Sequence, residues 1–330
     1  MQEKPNYLKA LGGAALIGGV FGILGEALLM VYAATPLYGQ GLSTLFVLGT
    51  LGVIGSCLFI AGIYPKFEKF GGMGAVLPFA GLCAAFAGMT FGVGKATGSA
   101  AKGALKVFIE LFLKVVILGM IICCIVGLIV YFTGFGTVFT APYAPAGVVV
   151  NQVGPPNGTA AGPPMGVPTG IDGLAFLWAF ITAAVISMIA QIILMLTKLK
   201  LPTYLVIIFV VGAILTPFGV MKAIVVFGGA GLQVLTIGAG EAVVSTFNAL
   251  LGGNPLPFIE VLCLFVFLYI VGVGGGLIKY AATKGKGEVA GAGAGGNEVA
   301  GANADAGTGG DAGAGEITAA HEGEREAAQP

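Results

Sequence analysis

Five side chains able to do chemistry lie inside otherwise apolar stretches: Glu26, Glu110, Gln191, Glu241 and Glu260. A carboxylate held at membrane depth is expensive, so such groups face a cavity or a polar partner. Glu26 comes about 16 residues into its apolar run, roughly 24 Å at 1.5 Å per residue, too deep to reach the near surface. It reads either as a lining or proton-carrying group of a conduit or as a buried, hydrogen-bonded acid. Gln191 is polar without charge, the kind of residue that ties one membrane helix to another. Glu110 is followed four residues later by Lys114, the favourable order for a helical ion pair, and both fall near an expected helix start. Glu260 has Leu264 at that place and is left open to a functional role. Glu241, in the second Gly-rich segment with Ala84 opposite it, is a candidate for the mouth of a pathway.

Enzymatic chemistry finds no support. The sole histidine, His321, lies in a Gly/Ala/acidic tail, and neither a G-x-S-x-G nor an H-E-x-x-H string occurs. His-dependent hydrolysis is thereby excluded. No phosphate-cradling G-x-x-x-x-G-K-[ST] is present, so nothing suggests that the chain drives itself with ATP. The five cysteines have no metal-ligand spacing, and adjacent Cys123 and Cys124 point to different helix faces. No enzyme activity, cofactor, metal or nucleic-acid partner is expected.

These side chains must be positioned by membrane helices. Of 330 residues, 57% are hydrophobic and 9% charged, against about 25% charged in an ordinary soluble domain. Uncharged runs such as 115–133 and 174–196 reach the roughly 20 residues that cross a bilayer. The 58 glycines, ruinous to a soluble helical protein, let membrane helices approach closely. The N-terminus, with Lys4, Lys9 and then Val31-Tyr32-Ala33, mimics a signal peptide, but its apolar stretch exceeds the usual 7–15 residues and contains Glu26.

Hydropathy divides the chain into a membrane half at 1–132, a Pro/Gly-rich linker at 133–172, a second membrane half at 173–280 and a tail at 281–330 too poor in large apolar groups to fold. The halves repeat each other. Residues 18–30 match 183–195 in hydropathy, setting Glu26 over Gln191. Phe70-Gly71-Gly72-Met73-Gly74 matches Phe227-Gly228-Gly229-Ala230-Gly231, with Gly81 over Gly238. VFIELF (107–112) matches PFIEVL (257–262), setting Glu110 over Glu260. The unit is a helix, a second helix, a Gly-rich segment and a last helix.

The Gly-rich segment, 71–93 in the first half, is long enough to span or to dip in and return. If both Gly-rich segments are re-entrant, every loop lysine except Lys222 falls on the cytoplasmic side, and the linker, free of Lys and Arg, falls outside. The positive-inside rule favours that arrangement. Three crossings plus a re-entrant hairpin per half make the second half upside down, an inverted repeat with both termini cytoplasmic. Eight plain spans in parallel repeats are the alternative. Re-entrant backbone is tolerated only beside protein or a water-filled cavity, so Phe70–Gly81 and Phe227–Gly238 are candidate pore linings, with Pro78 bending or starting a half-helix and the two tip glycines at the constriction.

The string FGGMGAVLPFAG at 70–81 resembles the F-x-G-A-G-x-x-V-P-x-x-G signature of the SpoVAC/SpoVAEb sporulation membrane proteins, and Gly18-Gly19 through Gly25-Glu26 is similar to that family's G-G-L-x-x-x-I-G-Q pattern. The second copy keeps FGGAG and Gln191 but has Leu235 where the first has Pro78. The resemblance covers both membrane halves. It implies a subunit of the apparatus that moves dipicolinic acid, with calcium, across the spore inner membrane during sporulation or germination, alongside other SpoVA-type subunits including a soluble partner. Glu26 in place of Gln, and two units in one chain, depart from the family. A rotary-ATPase-like proteolipid and a purely structural membrane subunit are the rival functions.

Overall fold

The computed structural model describes residues 7–33, 35, 43–134, 173–197 and 199–284, which form helices joined by short turns, with one isolated backbone bridge. Most of the linker and everything past Lys284 lie outside the described residues. The first series comprises α1 (Tyr7–Ala33), α2 (Ser43–Ile60), α3 (Tyr64–Gly71), α4 (Met73–Val76), α5 (Phe79–Thr97), α6 (Ala100–Val107), a π-helical stretch Phe108–Ile117 and α7 (Leu118–Thr133). The second comprises α8 (Gly173–Thr197), α9 (Leu201–Leu215), α10 (Val220–Gly228), α11 (Ala230–Gln233), α12 (Thr236–Leu251) and α13 (Leu256–Lys284). Each thus runs long helix, helix, short helix, four-residue helix, helix, long helix.

Among the described residues, five helical runs are long and apolar enough to cross a membrane: Tyr7–Tyr32, Phe79–Thr97, Ala100–Thr133, Gly173–Thr197 and Leu256–Lys284. Helices α2 and α3 form a further pair, bent by 102° at Gly62, whose φ of 75° is a left-handed conformation that glycine adopts freely. Helix α3 differs from its neighbours because it carries Lys66, Glu68 and Lys69 and opens with a proline in its first turn, where a missing N–H does no harm. Outward faces are apolar, with Ile121, Ile125, Ile129 and Phe132 of α7 and Leu177, Ile181 and Ile189 of α8 exposed. Continuous apolar surface of this kind belongs against lipid, not water.

Small residues set the helix crossings. A Cβ on Gly18 would run into the Ser187 side chain, and one on Gly22 into Ala183 and the Ala179 carbonyl, so α1 and α8 cross closely and antiparallel. Along α13, Gly272 faces Phe86, Gly276 faces Ala87 and Thr90, and Tyr280 meets Gly94, which makes α5 and α13 parallel. Likewise Phe267 lies by Gly49, Val271 accepts a hydrogen bond from Ser56 at 3.1 Å, and Lys279 bonds the Phe59 carbonyl. Helices α2, α5 and α13 therefore run in one direction. The other set matches: Gly119 packs on Phe209, Gly127 on Phe247, and the Tyr131 hydroxyl bonds the Leu251 carbonyl at 3.2 Å, so α7 runs with α9 and α12. Each series lends its last long helix to the other.

Two local readings of the sequence are corrected. Glu110 does not open a helix, since α6 precedes it within the continuous run Ala100–Thr133. Its ion pair is with Lys106, at 3.9 Å, not with Lys114. The winding between Glu110 and Lys114 is π-helical, and the wider turn rotates the residue four positions on away from the spot where an α-helix would put it. Glu110 and Lys106 are both substantially exposed, so this is a weak surface pair.

Candidate functional site

Two breaks in the helices lie where the halves meet, and each is capped by a side chain from the other half. At the first, Gly72 joins α3 to α4 with φ 46° and ψ −123°, a region open essentially to glycine alone. The next backbone N–H, on Met73, donates to Gln191 Oε1 at 2.8 Å. At the second, Gly229 joins α10 to α11 with φ 47° and ψ −130°, and the Ala230 N–H donates to Glu26 Oε2 at 2.9 Å. Glu26 is 1% exposed. Each oxygen satisfies a donor that the helix start leaves orphaned.

The flanking glycines permit the approach. A Cβ on Gly72 or Gly229 would strike the capping Gln191 or Glu26 side chain, and one on Gly74 or Gly231 would strike the carbonyl of Ala14 or Ala179. Gly71 is pressed against Ile17 and Gly228 against Thr182. Past the breaks, Pro78 (φ −61°, ψ 151°) and Leu235 (φ −92°, ψ 151°) are the extended residues that start α5 and α12. They face each other as an antiparallel bridge, with Phe79 N–H donating to the Val234 carbonyl at 3.0 Å and Thr236 N–H to the Leu77 carbonyl at 2.9 Å. A proline fits at this position because its own nitrogen takes no part in the pairing.

Gly81 and Gly238 do not face an opening. A Cβ on Gly81 would collide with the Ala75 and Val76 carbonyls of its own loop, and one on Gly238 would come within 3.1 Å of the Gln233 Cα and the Leu232 carbonyl oxygen. Phe70 lies on α3 and is 46% exposed, and Phe227 is the last but one residue of α10, before Gly228. Of the polar residues, Glu26 and Gln191 are brought to the breaks. Glu241 is buried on α12, while Glu260 is half-buried on α13 and Glu110 lies on the π-helical stretch, away from the breaks. Between the starts of α5 and α12 remains a void of about 10 Å³ walled by Phe79, Phe209, Phe265 and Thr236, room for no more than one water.

Two tyrosines escaped the sequence reading. The Tyr64 hydroxyl donates to the Ala75 carbonyl and the Tyr204 hydroxyl to the Ala190 carbonyl, each at 2.6 Å and buried. An aromatic body with a polar tip inside a tyrosine-bearing apolar run gives no sequence signal for which carbonyl it will find.

These features define a polytopic helical membrane protein whose helices are interrupted where its two halves meet. Residues 175–251, which hold α9 to α12 and most of α8, match the family described as SpoVAC/SpoVAEB sporulation membrane protein. The chain matches no curated protein and no solved structure.

Proposed function

We propose that the chain is a membrane conduit or transporter subunit for a small anion, with dipicolinate, accompanied by calcium, as the solute and the spore inner membrane as its site. The observation that carries this reading is the pair of buried helix breaks, each capped from the opposite half by Glu26 or Gln191. Discontinuous helices meeting near the bilayer centre are how transporters bring backbone donors and acceptors to a solute, and a merely structural bundle has no need of them.

The packing directions support an inverted repeat. Corresponding helices α1 and α8 are antiparallel, and α2 and α5 run the same way, a pattern that a return of the chain part-way into the bilayer between them accounts for. Helices α3 and α4 supply that return as a re-entrant hairpin, even though α5 alone is long enough to span. The small central void fits a closed conformation. The amide and carboxylate now on the two N–H groups stand where a solute carboxylate would compete. Other SpoVA-type subunits, including a soluble one, are the proposed partners. No chemistry of its own is assigned to the chain.

The test is release of calcium dipicolinate from liposomes holding the purified chain. Release above that of protein-free liposomes supports the conduit. Absence of release both alone and with the co-expressed subunits of its locus would reduce the chain to a structural role.

A further inference from the structure

Setting Gly72 against Gly229 and reading outward exposes a difference between the halves. Phe59, Val76, Phe79, Ala84, Gly88 and Phe91 of the first have Thr216, Gln233, Thr236, Glu241, Ser245 and Asn248 as their counterparts. Every member of the second set is polar, and no member of the first is.

On the first side the space beside α5 is filled. The rings of Phe59 and Phe91 meet edge-on at 6.2 Å, and Phe59 lies 3.4 Å from where a Cβ on Gly88 would stand. Lys279 of α13 clamps them, donating to the Phe59 carbonyl at 2.7 Å with its Nζ 4.1 Å from the Phe59 ring centroid and 5.4 Å from that of Phe91. An ammonium over aromatic faces, partly withdrawn from water, is a favourable contact.

On the second side these bulky groups are missing, and polar atoms lack partners. Four side-chain oxygens among the described residues are buried without a hydrogen bond, and three of them, Gln233 Oε1, Thr236 Oγ1 and Asn248 Oδ1, fall on this one stretch. Thr236 is 5% exposed and walls the central void. Glu241, Ser245 and Asn248 fall within roughly 60° of one another around α12, which rises about 18 Å from Thr236 to Asn248. Glu241 is buried, and Ser245 on the same face is exposed. Buried polar atoms without protein partners are normally satisfied by ordered water; Glu241, Ser245 and Asn248 line one face of α12, while Gln233 ends α11 and Thr236 lies about 120° round the helix from Asn248, at the inner end of that face.

We propose that the Glu241–Asn248 face of α12, with Gln233 and Thr236 at its inner end, is a hydrated half-pathway entered beside Ser245, while the matching path along α5 is stoppered by the Phe59–Phe91–Lys279 latch. The inference deepens the conduit reading and rests on it. It also implies that the two ends of the pathway are unequal, one wet and one held shut.

The experiment is thiol labelling in proteoliposomes with a permanently charged methanethiosulfonate reagent applied to both faces, in the full chain with its five cysteines changed to alanine. Ser245→Cys and Asn248→Cys are expected to react at least tenfold faster than Gly88→Cys and Phe91→Cys. Adding Lys279→Met should raise the rate at Phe91→Cys toward that at Asn248→Cys. Thr236→Val should lower dipicolinate release about tenfold with melting temperature unchanged or raised. Equal rates in the two halves, or unreactive α12 cysteines, overturn the half-pathway. Reactive α12 cysteines in a chain that passes no dipicolinate leave the wet face standing and sink the conduit, whereas release with α12 unreactive does the reverse. A melting temperature raised by Thr236→Val with release unchanged marks the face as dry.

Discussion

Glu26 and Gln191 perform the same task with different chemistry, and that equivalence fixes what substitution should do. The Ala230 N–H needs an acceptor, and an amide oxygen serves the Met73 N–H at 2.8 Å as well as a carboxylate serves Ala230 at 2.9 Å. Glu26→Gln should therefore leave thermal stability in detergent nearly unchanged. Glu26→Ala removes the acceptor and strands a buried donor, a loss of about 1–3 kcal/mol, readable as a clear drop in melting temperature. Flux then separates the two roles left open for this acid. If the charge or the proton matters, Glu26→Gln abolishes solute movement at full stability; if only the cap matters, movement survives. The depth of Glu26 was legible in the sequence from its distance into an apolar run. Its partner was not, because nothing in the one-dimensional pattern says that a residue of the first half caps a helix of the second.

At the scale of elements, glycine spacing foretold where the chain breaks but not what each glycine does there. FGGMG and FGGAG mark both breaks, and Gly72 and Gly229 hold nearly the same dihedral angles. The tip glycines, expected at a constriction, are instead pressed against their own loops. Gly81→Leu should therefore reduce the yield of folded protein more than Gly238→Leu does, since a Cβ meets two carbonyls directly at the first and has a few tenths of an ångström to gain at the second. Size-exclusion recovery after detergent extraction measures this. Similar recovery for both variants, with flux lost in each, would restore the constriction. Gly72→Ala and Gly229→Ala should each fail more severely than either, because a side chain there meets a positive φ as well as the capping oxygen. The π-helical winding at Phe108–Ile117 had no sequence signature: FIELFLKVVI is an ordinary apolar run with one acid and one base, and only the fold shows its Phe108 and Phe112 rings packed on Tyr269.

The whole molecule is held by exchange, since α13 runs with α2 and α5 while α7 runs with α9 and α12, and this bears on both its sidedness and its tolerance to truncation. The described fold ends with α13 at Lys284, and truncation after Lys286 is expected to leave insertion and solute movement intact; loss of movement at normal membrane levels would make the removed segment a docking element. Sidedness offers the more decisive measurement. On the inverted-repeat reading α1 leaves the cytoplasm, α2 and α5 both end on the cytoplasmic side, and α7 carries the chain out to the linker. Helix α8 then returns, α12 ends outside, and α13 brings the chain back. That order makes α2, α5 and α13 parallel, α7, α9 and α12 parallel, and α1 opposed to α8, which is the set of directions the packing has. In the alternative of eight plain spans α5 crosses outward, so α2 and α5 would oppose each other. Two positions change sides between the readings: Ser99, between α5 and α6, and Asn151 in the linker. With an impermeant thiol reagent applied to intact cells carrying the cysteine-free chain, Asn151→Cys should be labelled and Ser99→Cys should react only after permeabilisation. The opposite pattern, with Ser99 reached from outside and Asn151 protected, would establish eight spans and remove the re-entrant hairpin from the proposal.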